Sequence, residues 1–152
     1  MQPLFALDGM FSSGTKHPQS QKIAPIVPLV TPREPAVEPR PTGPVMVTIT
    51  KTGAVWSLQG DTVKGKRTAR FGWLYLDFSK DKTIRASHAR EYYRANCETG
   101  EVKLLTRMDY NKAGNTVHTE TYSEAEAEPS YYPPDTNGGA IVRELCSPRF
   151  GS

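Results

Sequence analysis

The sequence predicts an α+β domain, with a single antiparallel β-sheet of about five to six strands and one C-terminal α-helix packed on one face. Three observations carry this. Between Val45 and Tyr122, runs of β-branched and aromatic residues alternate in character and are separated by short glycine- and asparagine-bearing segments, the pattern of strands joined by tight turns. After Pro133-Pro134 the period changes, and Ile141, Val142, Leu145 and Cys146 share one helical stripe. Nine of the thirteen prolines lie in the first forty-four residues, so that segment adds little to a core.

The chain divides accordingly into a proline-rich, largely disordered leader or tether (1–44), a folded domain (45–147) and a short tail (148–152). Within the leader, Leu4, Phe5, Leu7, Met10 and Phe11 form a small apolar cluster, read either as a frayed terminus or as a peptide that docks on a partner or on the domain's own surface. From Lys16 to Pro44 the fixed φ of proline and its missing amide favour an extended, polyproline-like tether of about 3 Å per residue. Met1 to Gly14 has neither the basic start nor the apolar run of a signal peptide. An exported chain would therefore be a mature form whose signal has been removed. No stretch approaches the roughly twenty apolar residues of a membrane span.

In the domain, Met46 to Thr50 and Ala54 to Leu58 read as a first strand with a turn or bulge near Gly53, and Gln59 to Lys66 as a loop. Arg67 to Phe78 is the clearest strand. Phe71, Trp73 and Tyr75 fall on one side and Gly72, Leu74, Leu76 and Phe78 on the other. Two apolar faces make it a central strand, covered by the helix on one side and by a dimer partner or the N-terminal tail on the other. Ile84 to Cys97 follows, with Arg90, Tyr92 and Arg94 facing one way and Glu91, Tyr93, Ala95 and Cys97 the other. Glu98-Thr99-Gly100 turns the chain into a partner strand in which Val102, Leu104, Thr106, Met108 and Tyr110 alternate with Lys103, Leu105, Arg107 and Asp109. Asn111 to Asn115 is a second hairpin turn, Thr116 to Tyr122 the last strand, and Ser123 to Pro134 a loop. Asp135 or Thr136 caps the helix, and Pro148 ends it.

Net charge is +3, too weak to argue for nucleic acid. No nucleic-acid motif is present, and none of Gly-x-Ser-x-Gly, HExxH or a phosphate loop occurs. His17, His88 and His118 are scattered, and Asp77 and Asp109 read as turn or surface carboxylates. No catalytic residue, metal site or cofactor is expected. The two cysteines, Cys97 and Cys146, lack zinc-ligand spacing. They are either two buried thiols of a cytosolic protein or one disulfide of an exported one. The candidate partner-binding set is basic and aromatic: Arg90, Tyr92 and Arg94, with Arg85, Lys103 and Arg107 near them, suited to carboxylates or sulfates of a partner. The same residues also fit an ordinary solvated face in which arginine stems cover tyrosine rings.

In order, the chain carries Trp56, an aromatic strand ending in Tyr-x-Asp (Tyr75, Asp77), Tyr-x-x-Asn-Cys (Tyr93 to Cys97), a leucine-rich strand ending in Asp-Tyr, and Pro-Asp-Thr before a helix ending in Leu-Cys. This order resembles the surface-adhesin protein E family of Gram-negative envelopes over about Trp56 to Cys146. The resemblance implies an antiparallel sheet with a C-terminal helix tied across it by a Cys97–Cys146 disulfide. Closing such a loop of about fifty residues stabilises by roughly 4 kcal/mol. It further implies an exported, non-catalytic protein of the periplasm, outer membrane or cell surface. Its partners would be host extracellular-matrix proteins, bound as a homodimer through an exposed sheet face. The long leader and the missing lipidation cysteine depart from the namesake and leave membrane attachment to a removed or absent anchor. The leader favours the alternative of a structural component of an envelope-spanning secretion, conjugation or pilus assembly.

Overall fold

A computed structural model describes Pro25, Ile26, Pro28 and residues 38–151. The expectations for the rest of the leader, including a cover of the sheet by the N-terminal tail, lie outside the described residues. The predicted architecture is present. Strands β1 (Pro44–Ile49), β2 (Val55–Gln59), β3 (Lys64–Lys66), β4 (Ala69–Asp77), β5 (His88–Asn96), β6 (Glu101–Tyr110) and β7 (Thr116–Thr121) form one antiparallel sheet, and helix α1 (Asn137–Leu145) follows. The order is β1-β2-β4-β5-β6-β7, with β3 paired to β4 beyond the end of β2. Every connection along this path is local, as hairpin chemistry dictates.

Side chains of β4 alternate between buried and half-buried along the whole strand, which is the two-sided pattern read from its sequence. One face is the core. There Leu58, Leu74, Leu76, Ala89, Tyr93, Ala95 and Val102 pack with Ile141, Leu145 and Phe150. Thr136 caps the helix, its hydroxyl accepting from the Gly139 amide at 3.1 Å. Gly72 lets the helix approach closely: a Cβ there would stand 2.8 Å from Leu145 Cδ1 and 3.2 Å from Leu58 Cδ1. Cys97 and Cys146 are joined, closing a loop with a sequence separation of 49, and the turn between β5 and β6 is thereby bound to the end of α1.

Several local expectations give way. The first strand is two strands, folded into a hairpin by the turn at Thr50 to Gly53, with the Gly53 amide donating to Thr50 O. Gln59 to Lys66 is not an open loop, since it contains a 3₁₀ turn (Gly60–Thr62) and β3. The positive φ of Gly65 (+90°) makes this second hairpin compact. The strand expected from Ile84 starts only at His88, because the preceding segment is organised by Asp81. That buried carboxylate accepts from Thr52 Oγ1 (2.5 Å), Thr83 Oγ1 (2.6 Å) and the Thr83 amide (2.9 Å), and these bonds hold its pKa below the usual range. Such local bonds compete with strand pairing. The tail is also built in: Pro148–Phe150 forms a 3₁₀ turn, Phe150 is buried in the core, and the buried Arg70 donates from Nη2 to Gly151 O at 2.7 Å.

The largest correction concerns β6. Tyr92 pairs with Thr106 but Tyr93 pairs with Leu104, so Leu105 is an extra residue at a bulge. Beyond it the parity reverses: Val102 and Leu104 share the core face with Arg107 and Asp109, not with Thr106, Met108 and Tyr110. A one-residue slip moves every later side chain to the opposite face.

Chain-entropy arithmetic puts the disulfide at about 4 kcal/mol, with measured bridges commonly nearer 2–4. Cys97→Ser, Cys146→Ser and the double variant are expected to lose the same amount, about 10–20 °C in Tm. Reducing agent should lower the wild type to that level and leave the variants unmoved. Additive losses in calorimetry would contradict a shared bond.

Candidate functional site

With α1 against one side of the sheet, the opposite side presents a field of rings. Cross-strand neighbours on β4, β5 and β6 bring Phe71, Trp73, Tyr75, His88, Tyr92 and Tyr110 together. Tyr92 stacks against Trp73 (centroids 4.8 Å apart) and Phe71 (6.0 Å). His88 stacks on Tyr110 at 4.7 Å and meets Tyr75 at 5.3 Å. Such offset pairs hold the rings at fixed spacing and leave them half-buried, with no covering element among the described residues.

Arg90 lies in the middle of this field. It follows His88 and precedes Tyr92 on the same face of β5, with Tyr75 and Met108 opposite it on the flanking strands. It is exposed, and it makes no side-chain hydrogen bond or ion pair among the described residues. Beside it opens a cleft of about 290 Å³ walled by Trp73, Tyr75, Arg90 and Met108 and by Gln59 and Asp61. Thr62 fixes the polar wall: its hydroxyl accepts from the Trp73 amide (3.0 Å) and donates to Gln59 O (2.7 Å), which clamps the 3₁₀ turn onto β4.

The other predicted binding residues separate. Tyr92 lies in the ring field. Arg85 is exposed in the loop before β5, outside the strand. Arg94 shares the outer face but is engaged. Its Nη1 is 3.4 Å from Glu101, and its Nε faces Glu124 Oε2 at 3.0 Å, off the line of a hydrogen bond. Lys103, opposite Arg94, donates to Glu124 O at 2.8 Å. These two tie down the loop after β7. Arg107 is on the core side because of the bulge at Leu105, and it cannot join Arg90.

On that core side Arg107 completes a chain of polar groups beyond the reach of α1. Glu91, only 3% exposed, accepts from Arg107 Nη1 at 2.9 Å and from the Tyr93 hydroxyl at 2.7 Å. Arg107 Nη2 lies 3.0 Å from Asp109 Oδ1. Burial raises the Glu91 carboxyl above its usual range, against the pull of Tyr93 and Arg107. Burial, then the Glu91 charge, pushes the Tyr93 phenol up as well. For Arg107, burial pulls the guanidinium down, and the Asp109 hydrogen bond with the Glu91 and Asp109 charges more than offsets it. Every strong donor here is matched, and Glu91 is sealed from solvent, so the cluster is structural.

Sequence reasoning placed Trp73 and Tyr75 only under a dimer partner or the N-terminal tail, and gave Met108, Gln59 and Asp61 no role in recognition. Strand parity already aligned Trp73 and Tyr75 with each other, and pairing β4 to β5 in register would have set them beside Arg90. Nothing in the sequence signalled that the 3₁₀ turn would bring Gln59 and Asp61 alongside.

No protein-family model and no curated protein matches the sequence. Among solved structures, a crystal form of Haemophilus influenzae protein E matches at a TM-score of 0.50 and 13% identity, covering 70% of this chain and 92% of that one. A second structure of protein E, from non-typeable Haemophilus influenzae, matches at 0.43 and 12%, covering 70% and 80%. The first match shows that the chain has a protein E-like fold.

The raised Glu91 carboxyl fixes a sign for pH dependence. The folded state keeps this proton to higher pH than the unfolded chain, whose carboxylates titrate near about pH 4. Stability from this group is therefore full below that value and falls as pH rises through the folded pKa. Glu91→Gln removes the titration. The stability of wild type minus that of the variant, from urea unfolding, should shift against the wild type between pH 4 and pH 8. A constant difference would mean that Glu91 titrates in its ordinary range.

Proposed function

We propose that the chain is a non-catalytic, exported envelope protein that acts as an adhesin-like binding module for host extracellular-matrix proteins, docking them on the outer sheet face around Arg90. The observation that carries this is an exposed guanidinium, without a partner among the described residues, set among six rings on the side of the sheet away from the helix. Trp, Tyr and Arg dominate the energetic centres of protein interfaces, where rigid rings supply contact area and arginine supplies fixed donors. The direction of the reading comes from the ordered residue pattern that resembles the surface-adhesin protein E family. The disulfide supports export, since such bonds persist in oxidising compartments.

The leader favours a second reading, a structural component of an envelope-spanning secretion, conjugation or pilus assembly tethered by its proline-rich N-terminus. On this reading the outer face docks another subunit of the assembly.

Surface binding to immobilised matrix proteins at physiological salt separates the two. Saturable binding is expected, and Arg90→Ala should weaken it about tenfold or more without changing Tm. Arg107→Ala, on the opposite face, should cost about 2 kcal/mol of stability by leaving Glu91 buried without its cation, yet leave binding intact. Absence of saturable binding to any matrix protein would turn the assignment toward the assembly component.

A further inference from the structure

We infer that the cleft beside Arg90 is a subsite for a single neutral pyranose ring, so that the partner is recognised in part through a glycan it carries. The inference rests on the outer face being the binding face.

Three features of the cleft restrict its occupant. The first is size: at about 290 Å³ it sits at the lower edge of small-molecule sites, room for one ring and not for a helix or a folded loop. The second is the pair of aromatic walls. Trp73 is held in place by its stack on Tyr92 and Tyr75 by His88, so they offer rigid apolar faces that lose little freedom on binding. The C–H face of a pyranose is flat and apolar enough to lie on such a ring.

The third is the polar complement. Gln59 supplies an amide, Asp61 a carboxylate and Arg90 a guanidinium to the cleft, and none of these side chains has a hydrogen-bond or ion-pair partner among the described residues, Gln59 accepting only through its backbone oxygen. Together they offer donors and acceptors within one small volume. Vicinal hydroxyls answer both kinds at once: they donate to Asp61 and to the Gln59 carbonyl, and they accept from Arg90 and the Gln59 amide. A proline ring would stack equally well on Trp73 but would leave all three polar groups unanswered. An anionic group would suit Arg90 and be repelled by Asp61. With one positive and one negative side chain the cleft is close to neutral, and so is the ligand it selects.

The full chain, titrated with a panel of neutral hexosides and N-acetylhexosaminides and followed by tryptophan fluorescence, tests this. Trp56 is the only other tryptophan and belongs to the core side, so Trp73→Phe should abolish the signal. At least one neutral saccharide is expected to saturate the shift at millimolar concentration, as a one-ring contact implies. Asp61→Asn, at an exposed position, and Gln59→Ala, at a half-buried one, should each weaken that binding several-fold, with Tm unchanged for Asp61→Asn. Glycosidase-treated matrix protein should be captured less well than untreated protein. Capture that is unaffected by glycosidase, with no saccharide response, would overturn the glycan inference while leaving the binding face in place. Binding only of sulfated or carboxylated sugars, insensitive to Asp61→Asn, would overturn it in favour of a simple cation site. If neither saccharide nor matrix protein binds, both readings fall.

Discussion

The helix and the sheet are held in one relation by the bond between Cys97 and Cys146. A single nine-residue helix is too short to be stable alone, and it keeps its place through Leu145 set over Gly72 and through the bridge that immobilises its last turn. Everything that distinguishes the two sides of the sheet follows. One side becomes a core because α1 and the Phe150 tail lie on it. The other keeps its rings half-open, and that is the face on which binding is proposed.

The core side has its own tension. Helix α1 packs against β1, β2 and β4, so the same face of β5 and β6 must be completed by other means, and there the sheet carries Glu91, Tyr93, Arg107 and Asp109. Buried ion pairs of this kind roughly break even against apolar packing. Their effect is on register: Arg107 can reach Glu91 only if the bulge at Leu105 is present, so a slip of β6 would strand a buried carboxylate. The polar chain and the bulge therefore specify each other, and together they keep Met108 beside Arg90 on the outer face.

How much of this was legible depended on whether a residue's environment is set by its own strand. Parity alone sorted Phe71, Trp73 and Tyr75 from Leu74 and Leu76, and Arg90, Tyr92 and Arg94 from Tyr93 and Ala95. The helix stripe, the two turns at Gly100 and Gly114, and the cap at Thr136 were readable for the same reason. The bulge at Leu105 was not: no glycine or proline marks it, and two adjacent leucines fit either face. Arg107 was consequently grouped with Arg90. The segment from Ile84 to Ser87 was misread because β-branched and small residues suggested a strand, while Asp81 just before it binds Thr52, twenty-nine positions away in sequence. Phe150 looked like a tail residue because only the folded core reveals the space it fills.

For a partner docked on the outer face as proposed, competition narrows the basic patch to one cation. Arg94 and Lys103 already face Glu101 and Glu124, and a partner would have to displace those contacts before gaining its own. Among the described residues Arg90 has no such contact to give up. With a net charge of only +3 and screening over about 8 Å at physiological salt, long-range steering contributes little. On the proposed reading selection falls to fit at contact, where Asp61 across the cleft sets a second condition. A partner that satisfies Arg90 alone leaves a carboxylate facing it, and one that satisfies both must carry donors and acceptors side by side.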